Sequence, residues 1–363
     1  MSDIPIADPQ MGEREIERVV ETLESGMLAD GPEVRKFEDE FADFCGAAYG
    51  VATSNGTTAL HAAFEALDIG EGDKVVTTPF SFVASANTVR IAGAEPVFAD
   101  IDPDTYNLDP TAVEEAIRKH DDVSAILAVH LYGLPAEMDR LREIADRHGL
   151  ALVEDAAQAH GAEFQGDRVG SLGDAACFSF YPTKNMTTGE GGIVTTNRED
   201  VAKRAASYVN HGRTEDGGYD HVRVGNNYRL TSMAAAIGRV QLERLPDYNA
   251  ARRQNAAYLT DALSESGVVT PTEPDGYRHV YHQYTIRADD RDELKEFFAE
   301  RGVGAGVYYP TPIHQQPAYD DVTHAAPVTE RAAKQALSLP VHPNVTEDDL
   351  RTITNAISAY ESE

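Results

Sequence analysis

Lysine is the scarce residue of this chain: there are seven, against 24 arginines, and 61 acids against 31 bases leave a formal charge of −30 over 363 residues. A field that negative excludes nucleic acid and anionic membrane surfaces as partners, because both would be repelled. The acids are spread along the chain, as in Asp289 to Leu294 (DDRDEL), so no disordered acidic tail accounts for them. In molar salt the Debye length is about 3 Å, and self-repulsion that strains a fold in dilute buffer is screened. Acid excess with few lysines therefore points to a salt-loving, archaeal source; an ordinary acidic protein leaves the lysine shortage unexplained. Cysteine is nearly absent too. Cys45 and Cys177 are the only two, and Cys177 sits inside the apolar run AACFSF, so both read as buried free thiols acting as small hydrophobes. No apolar run approaches a membrane span, and the acidic start SDIPIADPQMGEREIE lacks the apolar core of a secretory signal. A cytoplasmic location is expected. The histidines are scattered with no metal-ligand spacing, and no metal is expected.

What is present begins with SFYPTKN, Ser179 to Asn185, followed by GEGG at Gly189 to Gly192. This places Lys184 just past an apolar strand. A buried lysine amine can lose its proton near neutral pH and attack a carbonyl. Alone it would read as a surface lysine in a loop. Upstream, however, ALVEDAAQAHG (Ala151 to Gly161) is a strand ending in Glu154, Asp155, Gln158 and His160, where α/β folds place ligand chemistry. Further upstream, Val51 to Leu67 reads as a turn and a helix, with Ser54, Asn55 and Gly56 as turn and cap. Free N–H groups and the positive dipole end at such a turn can hold a phosphate. A lysine for an aldehyde, an acid for a pyridinium nitrogen and a helix N-terminus for a phosphate describe pyridoxal 5'-phosphate.

Apolar strands at Lys74 to Thr78, Pro96 to Ile101, Ser124 to Leu131, Ala151 to Glu154, Ala175 to Phe180 and Gly192 to Thr196 alternate with helices such as Thr111 to Lys119 and Glu137 to His148. The alternation predicts an α/β fold, a mostly parallel sheet with helices on both faces. A chain this long should split into two domains. Pro246 marks the expected break after a helix at Thr231 to Leu245, giving a large domain at 1–245 and a small C-terminal one at 246–363.

The chain resembles the DegT-like sugar aminotransferases of fold type I. The motifs that carry the resemblance are SNGTTALH, TPFSFVASAN, VFADIDPDTYNLDP, VHLYGLPAEMD, VEDAAQAHGAEFQGDRVGSLGD, CFSFYPTKN, GEGGIVTTN, NHGR and NYRLTSMAAAIGRVQL, and they span almost the whole chain. The resemblance implies a three-layer α/β/α large domain and a smaller C-terminal α/β domain. It also implies transamination of a nucleotide-linked keto-sugar, 3- or 4-keto, with L-glutamate as donor, for surface polysaccharide or glycan precursors. Lys184 would bind the cofactor and serve as the catalytic base, Asp155 would pair with its ring nitrogen, and Gln158 would meet its phenolic oxygen. Thr57, Thr58 and Ser179 would hold its phosphate, and Phe82 would stack on its ring. Asn227 matches an asparagine that reaches the neighbouring subunit's phosphate, implying a homodimer with shared sites; Asn226 departs from the family's usual aromatic there. His160, Tyr308, His314 and Arg229 are candidates for the substrate, with Arg213 beside them. Each of these also has a structural alternative. A related dehydratase would carry histidine in place of Lys184, and a cofactor-binding regulatory protein would not need the full constellation.

Overall fold

The computed structural model describes residues 3–214 and 218–362; positions 1, 2 and 363, which close the two expected domains, lie outside them. The helices are α1 (Glu13–Ser25), α2 (Pro32–Cys45), α3 (Gly56–Ala66), α4 (Ala84–Ile91), α5 (Pro110–Lys119), α6 (Met138–His148), α7 (Glu199–Val209), α8 (Ser232–Ala262), α9 (Arg291–Glu300), α10 (Pro327–Gln335) and α11 (Glu347–Tyr360). The strands are β1 (Tyr49–Thr53), β2 (Lys74–Thr77), β3 (Glu95–Phe98), β4 (Val123–Val129), β5 (Ala151–Asp155), β6 (Glu163–Phe164), β7 (Asp167–Arg168), β8 (Ala175–Ser179), β9 (Gly192–Thr196), β10 (Tyr277–Arg278), β11 (Tyr284–Arg287) and β12 (Ala336–Leu339). Seven of them form one sheet in the order β1-β9-β8-β5-β4-β2-β3. Only β9 runs against its neighbours; the other six point one way.

The strands are apolar throughout because both faces of the sheet are covered. Alternate residues serve opposite cores: Ala125, Leu127 and Val153 pack under α3 and α7, while Ile126, Ala128 and Leu152 pack with Val113 of α5 and Leu141 of α6. At the β8–β9 end, Phe178 and Ile193 meet Phe37 and Phe41 of α2 and Leu245 of α8. The three layers expected from the alternation are therefore present. Val51 to Thr53, read from sequence as part of a turn, form the end of β1 instead.

The expected break at Pro246 is corrected. α8 runs unbroken for 31 residues with Pro246 inside it. Proline forfeits one backbone bond at a cost of about 3 kcal/mol in a helix interior. The turns on either side bury Leu242, Leu245, Asn249 and Arg252, and that packing outweighs the defect. The 245/246 boundary thus falls within a helix that two cores share. Its second half contributes Ala256 and Leu259 to a C-terminal core with Tyr284, Phe298, Leu337 and Ile353, which Ile4 also joins. Among the described residues no helix is long and apolar enough to cross a membrane.

Candidate active site

Six co-directional strands end on one edge of the sheet, and the chemistry gathers there. β1 leads into α3, whose N-terminus is closed by a capping box: Asn55 Oδ1 accepts the Thr58 N–H at 2.9 Å, and the Asn55 N–H donates to Thr58 Oγ1 at 3.1 Å. The Thr58 hydroxyl is thereby committed to the cap. Thr57 is exposed, and the N–H groups of Gly56 and Thr57 stay unpaired among the described residues, which leaves a donor pair for an anion. A Cβ at Gly56 would stand 2.7 Å from Ser179 Cβ. Only glycine lets the helix start close against the end of β8, which brings Ser179 to the same place.

β5 ends in two acids with different work. Glu154 is fully buried and accepts from His130 Nε2 at 3.0 Å and from the N–H groups of Gly170, Leu172 and Gly173 at 3.0, 2.9 and 2.7 Å. It holds a loop. Asp155 faces the strand edge, where Ser85 Oγ donates to its Oδ2 at 2.7 Å and the Ala157 N–H to its Oδ1 at 3.2 Å. Ser85 is bonded in turn to Ser81, 2.9 Å away. Phe82, between those two serines in the chain, is 58% exposed, a ring left uncovered.

Lys184 follows β8 in a turn closed by its own N–H to the Tyr181 carbonyl at 2.9 Å. Its ammonium makes no ion pair or hydrogen bond among the described residues. Burial pushes it down from the ordinary 10.5 to about 8, against the pull of Asp155. A lysine so placed gives up its proton far more readily than a free one, within reach of a base's work just above neutral pH. His160 lies behind it, fully enclosed by Phe41, Phe178 and Phe180, and burial with the charge of Lys184 pushes its imidazole down to about 3. The expected sugar contact is therefore corrected: a ring with no exposed surface can shape the wall behind Lys184 but cannot meet a sugar.

Gln158 is buried, accepting the Tyr132 N–H at 2.8 Å and donating to the Tyr309 hydroxyl at 2.9 Å; its second amide hydrogen is left for a ligand. Tyr309 was not singled out in the sequence. Its left-handed φ of 66° sends it to Gln158, while the neighbouring Tyr308 bonds Gln283. Burial, with Asp155 nearby, holds the Tyr309 phenol protonated. His314 packs on Phe98 and His324 and lies 3.4 Å from Glu330, and none of these contacts reaches Lys184, Asp155 or Gln158. Arg229 donates to Asn210 Oδ1 and is half-buried. Arg213 stacks on Tyr219, 5.2 Å from the ring centre. Asn227 is exposed, its backbone bridged to Asn210. Asn226 donates to the Tyr208 hydroxyl at 2.9 Å, which lies 3.2 Å from His61 Nε2, so the departure at 226 is absorbed by a polar network.

The donor set fits pyridoxal phosphate: free N–H groups at a helix end, a carboxylate at the strand edge, an uncovered aromatic ring and an unpaired lysine. The profile of the DegT/DnrJ/EryC1/StrS aminotransferase family matches residues 9–358. The chain is 40% identical to the UDP-2-acetamido-2-deoxy-3-oxo-D-glucuronate aminotransferase of Pseudomonas aeruginosa, covering 93% of each. It is 44% identical to a "Pleiotropic regulatory protein" of Geobacillus stearothermophilus, covering 95% of this chain and 94% of that one. Among solved structures, S. venezuelae DesV in complex with a ketimine intermediate superposes with a TM-score of 0.96 at 37% identity over all of both chains.

Proposed function

Because this chain belongs to the DegT/DnrJ/EryC1/StrS aminotransferase family, and is a pyridoxal-phosphate-dependent aminotransferase, we propose that it moves an amino group from L-glutamate to a nucleotide-linked keto-sugar, 3- or 4-keto. The observation that carries this reading is Lys184, unpaired and pushed down to about 8, on the same strand edge as Asp155. Relatives named as nucleotide-sugar aminotransferases, such as the Pseudomonas enzyme, support the substrate class. Lys184 also disfavours the dehydratase reading, which requires histidine at that position. The regulatory name of the Geobacillus relative brings no feature here that replaces these catalytic groups.

When bound, pyridoxal phosphate supplies an aldehyde that carries the amino group and a cationic ring that draws electrons from the reacting carbon. Lys184 would hold the aldehyde through its amine and, as a neutral amine, would serve as the base that moves the proton of the donor's α carbon. Asp155, fixed by Ser85 and the Ala157 N–H, would keep the ring nitrogen protonated. The Gly56 and Thr57 N–H groups with Ser179 would hold the phosphate. Phe82 would cover one ring face, and Gln158 would donate its spare hydrogen to the phenolic oxygen. Tyr309, bonded to Gln158, would form part of the wall on the keto-sugar side, with Tyr308 and Arg229 as candidate sugar and phosphate contacts.

Borohydride reduction of the purified protein followed by peptide mass mapping should place the cofactor on Lys184. L-glutamate should bleach the visible band before reduction, and Lys184→Ala should retain cofactor without a reducible bond. Label on any other of the seven lysines would overturn the assignment. A panel of nucleotide-linked 3- and 4-keto-sugars, read by product mass, then decides the substrate.

A further inference from the structure

The loops that carry Lys184, His160 and His282 are tied together by one turn of α8. Asn249 Oδ1 accepts from Asn185 Nδ2 at 2.8 Å, and Asn249 Nδ2 donates to the His160 carbonyl at 2.8 Å. Asn185, next to Lys184 in the chain, also donates to the Val280 carbonyl at 3.1 Å. Arg252, on the same face of α8, donates to the carbonyls of Tyr281 and His282 at 3.2 and 3.4 Å. Asn185, Asn249 and Arg252 are 3%, 4% and 6% exposed, so water offers no replacement partner. The backbone is fitted to this contact: Gly161 has a φ of +79°, and a Cβ there would stand 2.9 Å from Asn249 Nδ2 and 3.1 Å from Phe44.

We propose that Asn249 is a positioning residue for amino transfer: through Asn185 it fixes where the Lys184 amine stands between Asp155 on one side and the imidazoles of His160 and His282 on the other. This rests on the role of Lys184 argued above. The placement matters because the groups facing Lys184 pull in opposite senses. Asp155 favours its ammonium, while burial disfavours it. His160 and His282 lie close enough to feel its charge, and Arg252 acts on both imidazoles. A shift of the amine of about 1 Å alters that balance and the proton-transfer distance together, which can cost up to about a hundredfold in rate.

Asn249→Leu keeps the branched shape but removes both hydrogen bonds, and Asn185→Ser breaks the tie from its other end. Two readouts apply to the full-length protein: kcat and KM with L-glutamate, and the pH midpoint of Lys184 acetylation by acetic anhydride after the cofactor is stripped, read by peptide mass. We expect kcat to fall about ten- to hundredfold with KM within about twofold. The acetylation midpoint should move by about half a unit or more from the wild-type value of about 8. A variant that melts lower yet keeps wild-type kcat and midpoint would overturn the proposal and leave Asn249 a structural residue. Should Asn249→Leu not fold, Asn185→Ser decides by the same measurements. If the wild type carried no cofactor on Lys184, the aminotransferase role of that lysine would fail, while the acetylation midpoints would still decide for or against Asn249.

Discussion

Lys184 is unstable where it stands, and that instability is useful. Its amine is held near 8 instead of 10.5, so below about pH 8 the folded, cofactor-free protein carries a buried ammonium with no partner. Between about pH 8 and 10.5 the unfolded chain binds the proton that the folded chain refuses, so stability rises with pH across that window and is flat below it. Lys184→Met, apolar and of similar length, should therefore melt a few degrees higher than the cofactor-free wild type at pH 7. The gap should close as pH climbs through the window. A constant gap, measured by calorimetry in both buffers, would mean that Lys184 is not charged and buried at neutral pH. Lys184 and Asp155 were legible in the sequence because each sits within a short polar run at the end of an apolar strand. Ser85 and Tyr309 were not. Ser85 is one of two serines in SFVAS with nothing local to choose between them, and Tyr309 reaches Gln158 across 151 residues by way of a left-handed φ.

Among the elements, the seven-stranded sheet follows from apolar runs without alternation, and those runs were readable to within a residue or two at most strands. The length of α8 was not readable. A proline inside a helix is a local signal to stop, and only burial of the flanking turns overrides it. The same limit applies to the two acids ending β5: the strand pattern alone does not choose between Glu154 and Asp155, and it was the resemblance that assigned Asp155. One points back into the fold and gathers His130 with three backbone N–H groups; the other points to the edge. Glu154→Gln would set an NH2 among donors and leave buried N–H groups unpaired, costing about 3 kcal/mol or more. The expected result is a clear fall in melting temperature with new proteolytic cutting near Gly170 to Gly173. Unchanged melting would show that the loop does not depend on Glu154.

At the scale of the whole molecule, a charge of −30 sets how the fold meets its solvent. Surface pairs such as Arg198–Asp200 and Lys119–Glu115 weaken in salt, each by a fraction of about 1 kcal/mol. Repulsion among the remaining acids is screened at the same time, and apolar burial is modestly strengthened. With roughly twice as many acids as bases, relief should win. Activity and melting temperature are expected to rise with potassium chloride into the molar range, and a flat or falling melting curve would count against a salt-loving origin.

We propose that a second chain completes each site. Asn227 is exposed, and its backbone is pinned to Asn210, so the side chain is presented outward by an ordered segment. A carboxamide so held can donate to the phosphate of a neighbouring site. Asn227→Asp would set a negative charge against that phosphate, weakening cofactor retention while leaving Lys184 chemically intact. Chains carrying Lys184→Ala and chains carrying Asn227→Asp should each be inactive alone. In a mixed dimer with shared sites, one site combines both defects and the other is wild type. Random pairing then returns about a quarter of wild-type activity, because half of the dimers are mixed and half of their sites are intact. Mixed dimers that form, as native mass measurement would verify, and yet remain inactive would make Asn227 a residue of its own chain's loop and leave each subunit with a site of its own.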